Sequence, residues 1–216
     1  MNDNLKRFLP HLISLAIIVA ISIFYFLPQI SGKVIKQGDL VQVVGMSKEI
    51  VDYNKKGEGP TLWTNNMFGG MPAYQINTPS GKVMSYIYKA MTLGFERPIG
   101  VFILGMIMFY FTMLIMGINH WLALLGALFF GFTTNSLILF EAGHSSKLNV
   151  IMFSPGIIGG LILTYRKNYL LGPALFALSL ALNVHSNHIQ MSYYLALCLL
   201  ILVLIYLVSA IAKKDV

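Results

Sequence analysis

The chain has 216 residues, 56% of them hydrophobic and only 11% charged. Soluble domains run about 45–50% apolar and about 25% charged, so this composition excludes a water-soluble fold and marks an integral membrane protein. The net charge of +7 does not mark a nucleic-acid binder, because Lys and Arg are scattered at span ends and through one long loop without forming a basic stripe. A single cysteine, Cys198, excludes an intrachain disulfide.

Six hydrophobic segments follow one another: Phe8–Pro28, Pro98–Ile118, Trp121–Phe140, Val150–Tyr165, Tyr169–Val184 and Ile189–Ala212. About 20 helical residues cross a 30 Å hydrocarbon core, so the expected fold is an all-α polytopic protein of about six transmembrane helices. The first segment is too long for a signal-peptide core and has no small-x-small cleavage site after it, so it reads as a retained anchor. The fourth and fifth segments are short and contain Pro155-Gly156 and Gly172-Pro173. Such broken spans line cavities, or else form a tilted hairpin with frayed ends.

Placing the N-terminus in the cytoplasm puts Lys6, Arg7, Arg166, Lys167, Lys213 and Lys214 inside, as the charge asymmetry of short loops requires. The C-terminus is then also cytoplasmic. Six of the eight carboxylates fall outside, and chemistry is expected there. Three regions result: a first transmembrane helix over 1–28, a large outer loop over 29–97 and a five-helix membrane module over 98–216.

Within the outer loop, Asp39 stands in Gln37-Gly38-Asp39, just past the first span. Met46–Tyr53 has the spacing of a short helix, with Ser47 as a weak cap. Leu62–Gln75 mixes Trp63, Phe68 and Tyr74 with Asn65, Asn66 and Gln75 around Gly69-Gly70. Aromatic faces beside amides suit a sugar ring, and they equally suit an ordered loop folding onto helix ends. From Ser80 to Phe95, the positions Val83, Met84, Ile87, Tyr88 and Met91 repeat as one face of an amphipathic helix lying in the interface.

Two short polar loops follow. FEAGHSSKLN places Glu141, His144 and Lys147 close together; on a continuing helix Glu141 and His144 share a face, whereas Gly143 favours a turn. NVHSNHIQ adds His185 and His188. Glu141, His144, His185 and His188 are ligand types for a divalent metal, zinc or manganese, and are also residue types that cap helix ends at an interface.

Taken in order, QGD, GMSKEIVDY, LWTNNMFGGMPAYQ, FEAGHSSK, LTYRKNYLLG and NVHSNHIQMSYY resemble the N-terminal part of the YfhO family of bacterial membrane proteins, over nearly the whole chain. That resemblance implies a GT-C-type glycosyltransferase module in the bacterial cytoplasmic membrane. Such an enzyme transfers sugar, typically with inversion, from a polyprenyl-phosphate carrier to a cell-envelope polymer or lipid acceptor. Asp39 matches its first-loop acid, the expected catalytic base. The donor phosphate would be met by Lys147, Arg97, or a divalent metal (Mg, Mn or Zn) held by Glu141 and His144. Family members are longer, so this chain corresponds to their front module. Two other functions compete: a transporter or flippase, favoured by the broken spans, and a non-catalytic scaffold that uses the outer loop for docking.

Overall fold

The computed structural model describes residues 3–57, 60–74, 76 and 81–213. In chain order these form α1 (Asp3–Tyr25), α2 (Leu27–Ile30), α3 (Gly38–Asn54), β1 (Trp63–Thr64), β2 (Met71–Pro72), α4 (Lys82–Met91), α5 (Ile99–Ile115), α6 (His120–Gly131), α7 (Thr134–Ala142), α8 (Ser145–Tyr165), α9 (Leu171–His185) and α10 (Ile189–Lys213). Apart from the hairpin of β1 and β2, the described regular structure is helical. Four stretches have the length and apolar character of a membrane span: Leu5–Tyr25, His120–Ala142, Ser145–Tyr165 and Ile189–Lys213. The other two predicted spans are apolar helices of 17 and 15 residues, about 25 and 22 Å long at 1.5 Å per residue.

The fourth span differs from its expectation. Helix α8 is 21 residues long and runs through Pro155 without a break. Pro155 has no N–H to give to the Ile151 carbonyl four residues back. Ser154 supplies the missing donor, its hydroxyl bonding Ile151 O at 2.7 Å. The Pro155 carbonyl in turn accepts from the Thr112 hydroxyl of α5 at 2.6 Å. In α9, Pro173 falls in the first turn, where a helix has no use for its N–H. Neither helix is therefore a broken one.

Helix α8 is central, packing on α5 and α9. Close approach depends on glycine: a Cβ on Gly160 would fall on the backbone of Phe176, and one on Gly156 on the Ser179 hydroxyl and the Met108 sulfur. Small residues at such seams let helices meet where lipid gives no hydrophobic drive. Helix α10 lies at the edge with no buried residue, and Tyr206 stacks on Tyr165 at 4.2 Å.

Side-chain pairs define two ends of the bundle. At the end carrying the loop, Phe26, between α1 and α2, meets Phe102 of α5 at 4.9 Å and Phe140 of α7 at 5.5 Å. These edge-on aromatic contacts fix the helix ends on which the site is built. At the far end, the start of α1 meets the last turns of α5 through His11 Nδ1 and the Tyr110 hydroxyl, 2.7 Å apart. Between α1 and α5 the loop forms α3, the hairpin and α4. Helix α3 starts well before the predicted Met46–Tyr53 segment, so Ser47 is mid-helix and bonds back to Val44 O at 3.2 Å. Met84, Ile87, Tyr88 and Met91 share one face of α4 as expected, and that face packs on the helical core instead of only lying in an interface; Val83 is exposed.

Candidate functional site

The site is assembled by a turn between α7 and α8. Gly143 ends α7 in the left-handed conformation, φ 92°, which glycine adopts at little cost. A Cβ there would also stand 3.1 Å from Gln37 Cβ and 3.2 Å from the Leu40 nitrogen. Glycine thus lets the start of α3 come down on the turn. The Gln37 side-chain amide donates to the Phe140 carbonyl near the end of α7, which also accepts from the capping Gly143 N–H at 3.2 Å. Two residues on, Asp39 lies in the first turn of α3, where the helix dipole favours a carboxylate.

This docking brings Asp39 and His144 together across the sequence. Asp39 Oδ2 lies 3.0 Å from His144 Nδ1, with the two side chains 43% and 51% exposed. Asp39 Oδ1 and His144 Nε2 make no hydrogen bond to any described residue. The pair therefore keeps one acceptor and one ring nitrogen open to the surface.

Beside the pair is a cleft of about 260 Å³. Its polar lining comes from Gln29, Lys33, Gln37, Ser145, Asn149 and the adjacent Glu96 and Arg97. Val101, Phe140 and Leu148 supply apolar wall. Asp39 and His144 do not line it; Gln37 and Ser145, their near neighbours in sequence, do. The pair stands at the rim. Arg97 is tethered by its Nε to the Tyr88 hydroxyl at 3.3 Å and lies 5.3 Å from the Tyr88 ring centroid.

The other sequence candidates are dispersed. Gly143 separates Glu141 from His144, so they share no helix face; Glu141 is exposed and makes no hydrogen bond or ion pair with a described residue. Lys147 is on α8 outside the cleft lining. His185 ends α9, and His188 accepts the Met191 N–H at Nδ1, 3.3 Å, as a cap for α10. Among the described residues no three His, Cys, Asp or Glu side chains gather as metal ligands. The predicted assembly of Glu141, His144, His185 and His188 is thus not formed among the described residues.

The aromatic and amide segment is a hairpin pinned to α3. Glu49 Oε2 accepts from the Thr64 hydroxyl at 2.5 Å and from the N–H groups of Asn65 and Asn66 at 3.0 and 3.2 Å. The Thr64 hydroxyl, helped by those two N–H groups and opposed by partial desolvation, holds the Glu49 carboxyl below its ordinary value. Trp63 donates its indole N–H to Asn65 Oδ1 at 3.2 Å and covers Gly70. Phe68 is at the tip, 89% exposed. The Tyr74 carbonyl accepts from the Asn187 side chain at 2.7 Å, tying the hairpin to the α9–α10 turn. Gln75 lies outside the described residues.

Gln29, Lys33, Gln37 and Asn149 were not site candidates in the sequence, although Gln37 and Asn149 stand in its QGD and FEAGHSSKLN strings; only the fold brings the four to one cleft. No known family, curated protein or solved structure matches this chain.

Proposed function

We propose that this chain is the front module of a YfhO-like, GT-C-type membrane glycosyltransferase, working on the outer face of a bacterial cytoplasmic membrane with both termini inside. The observation that carries this reading is the 3.0 Å contact between Asp39 and His144 at the rim of the cleft. An acceptor hydroxyl placed there gives its proton to Asp39 Oδ1. Its oxygen attacks the anomeric carbon of a polyprenyl-phosphate-linked sugar from the face opposite the phosphate. The anomeric C–O bond breaks, the electron pair leaves with the phosphate, and the configuration inverts. His144, donating from Nδ1 to Oδ2, orients the carboxylate so that Oδ1 faces the acceptor. General-base help of this kind contributes about 10²–10⁴-fold. A divalent metal held by Glu141 and His144 is not part of this proposal, since only His144 of the two reaches Asp39.

Reconstitution in liposomes with a radiolabelled polyprenyl-phosphate hexose and an envelope-polymer acceptor tests it. Labelled acceptor is the expected product. Movement of the intact donor across the bilayer, with no label transferred, would replace the transferase by a flippase.

A further inference from the structure

The cleft itself contains polar groups that the fold does not use. Gln29 Oε1 is shut off from solvent and has no hydrogen-bond partner. Asn149 is 2% exposed, and its side-chain amide bonds no described residue. Folded proteins pair nearly all such groups, because a buried polar atom left unmatched costs about 1–3 kcal/mol. The Asn149 amide and, after a turn of its half-buried side chain, that of Gln29 are therefore groups available to a ligand with hydroxyls in the cleft they line. Asn183, on the next helix pair, shows the satisfied alternative: it donates to Val150 O at 3.2 Å and accepts from the Ser192 hydroxyl at 2.7 Å.

Charge adds a second requirement. Lys33 and Arg97 face the same cleft as Glu96, two cations against one carboxylate. Neither cation has a carboxylate partner among the described residues, and Arg97 is held in place by Tyr88 rather than neutralised. Such an arrangement suits a phosphate, for which guanidinium and ammonium donors are strong partners. The volume of about 260 Å³ falls just below the range of about 300–1,000 Å³ for pockets that enclose a whole drug-sized molecule. It fits a headgroup.

We infer that this cleft seats a glycosyl phosphate: Lys33 and Arg97 hold the phosphate, Gln29 and Asn149 read the sugar hydroxyls, and the Phe140 ring packs against the C–H face. The inference rests on the transferase reading for its biological sense, and it moves sugar recognition from the hairpin of Trp63 and Asn65 into the cleft. The same chemistry is offered by a lipid-linked glycosyl phosphate and by a free sugar phosphate.

The test is equilibrium binding to the full chain in nanodiscs, without acceptor. Three probes are used: inorganic phosphate, a hexose 1-phosphate and a short-chain polyprenyl-phosphate hexose. Both hexose ligands are expected to bind more tightly than inorganic phosphate. Tighter binding of the lipid-linked probe assigns the site to the membrane donor, and equal binding assigns it to the soluble sugar phosphate. Lys33→Ala and Arg97→Ala should each weaken both hexose probes about tenfold, the size of one charge-assisted hydrogen bond. Gln29→Leu and Asn149→Leu should each weaken the hexose probes about fivefold and leave inorganic phosphate unchanged. If Asn149→Leu does not fold, Gln29→Leu, at a half-buried position, carries the same comparison. Unaltered binding in Lys33→Ala and Arg97→Ala, or inorganic phosphate binding as tightly as hexose 1-phosphate, would overturn the inference. Because no transfer is measured, a chain that binds these ligands but moves no sugar keeps this site and loses only the transferase.

Discussion

The two ends of the helical bundle use similar residues to opposite effect. At the far end, His11 bonds the buried Tyr110 hydroxyl, His120 packs edge-on to His11 at 5.8 Å, and Arg166 donates to the Ile115 carbonyl at the end of α5. There His11 and Arg166 each bond one group of a neighbouring helix. At the loop end, His144 meets Asp39 with about half of each side chain open, Gln29 Oε1 has no hydrogen-bond partner, and Gln29 and Asn149 line a cleft. A histidine or an amide in a membrane protein is therefore not informative by type. What separates a structural one from a candidate functional one is whether its remaining donors and acceptors are satisfied within the fold.

The largest expected effect strikes the loop end. Gly143→Val forces a side chain into a left-handed turn and against Gln37, so α3 must lift and Asp39 must leave His144. A displacement of about 1 Å at a reacting group costs on the order of 100-fold in rate, and sugar transfer should fall by about that much while the helical content, read by circular dichroism, is kept. Transfer at the original rate would mean that the contact is incidental.

At the far end a substitution should cost stability and nothing else. His11→Ala leaves the buried Tyr110 hydroxyl without its partner, a penalty of about 1–3 kcal/mol, visible as a lower thermal midpoint in detergent. The double variant His11→Ala with Tyr110→Phe should recover part of the loss, and glycosyl phosphate binding should be unchanged in both. Loss of binding in His11→Ala would erase the distinction between the two ends.

The smallest effect concerns the hairpin. The carboxyl of Glu49 titrates lower in the folded loop than in an unfolded chain. Its contribution to loop stability is therefore complete above the ordinary carboxylate value and is lost as the pH falls through the lowered folded one. Trp63 fluorescence in a Trp121→Phe background should report loosening of the hairpin only in acid, and Glu49→Gln should abolish the pH dependence. Loosening at neutral pH in the unsubstituted loop would show that another group holds it.

Periodicity and hydropathy made the helical architecture legible, including the shared face of Met84, Ile87, Tyr88 and Met91 on α4 but not its packing on the core. Asp39 and His144 were each legible as candidates, but not as a pair, since their contact depends on a glycine turn more than a hundred positions from Asp39. The early start of α3 was hidden by Gly38, Gly45 and the β-branched Val41, Val43 and Val44, all weak helix formers. The continuity of α8 was hidden by Pro155-Gly156, because Ser154 repairs the helix with a side chain that propensity does not count. Asn149 was read as the tail of a polar loop; its burial arises only when α8 starts at Ser145 and packs against α5.

The most direct measurement is the rate of sugar transfer from a polyprenyl-phosphate hexose by reconstituted chain carrying Asp39→Asn, an isosteric change that removes the base and keeps the shape. Transfer is expected to drop by about 10²–10⁴-fold with hexose 1-phosphate binding intact. Transfer at the unsubstituted rate would contradict the assignment of Asp39 as the catalytic base.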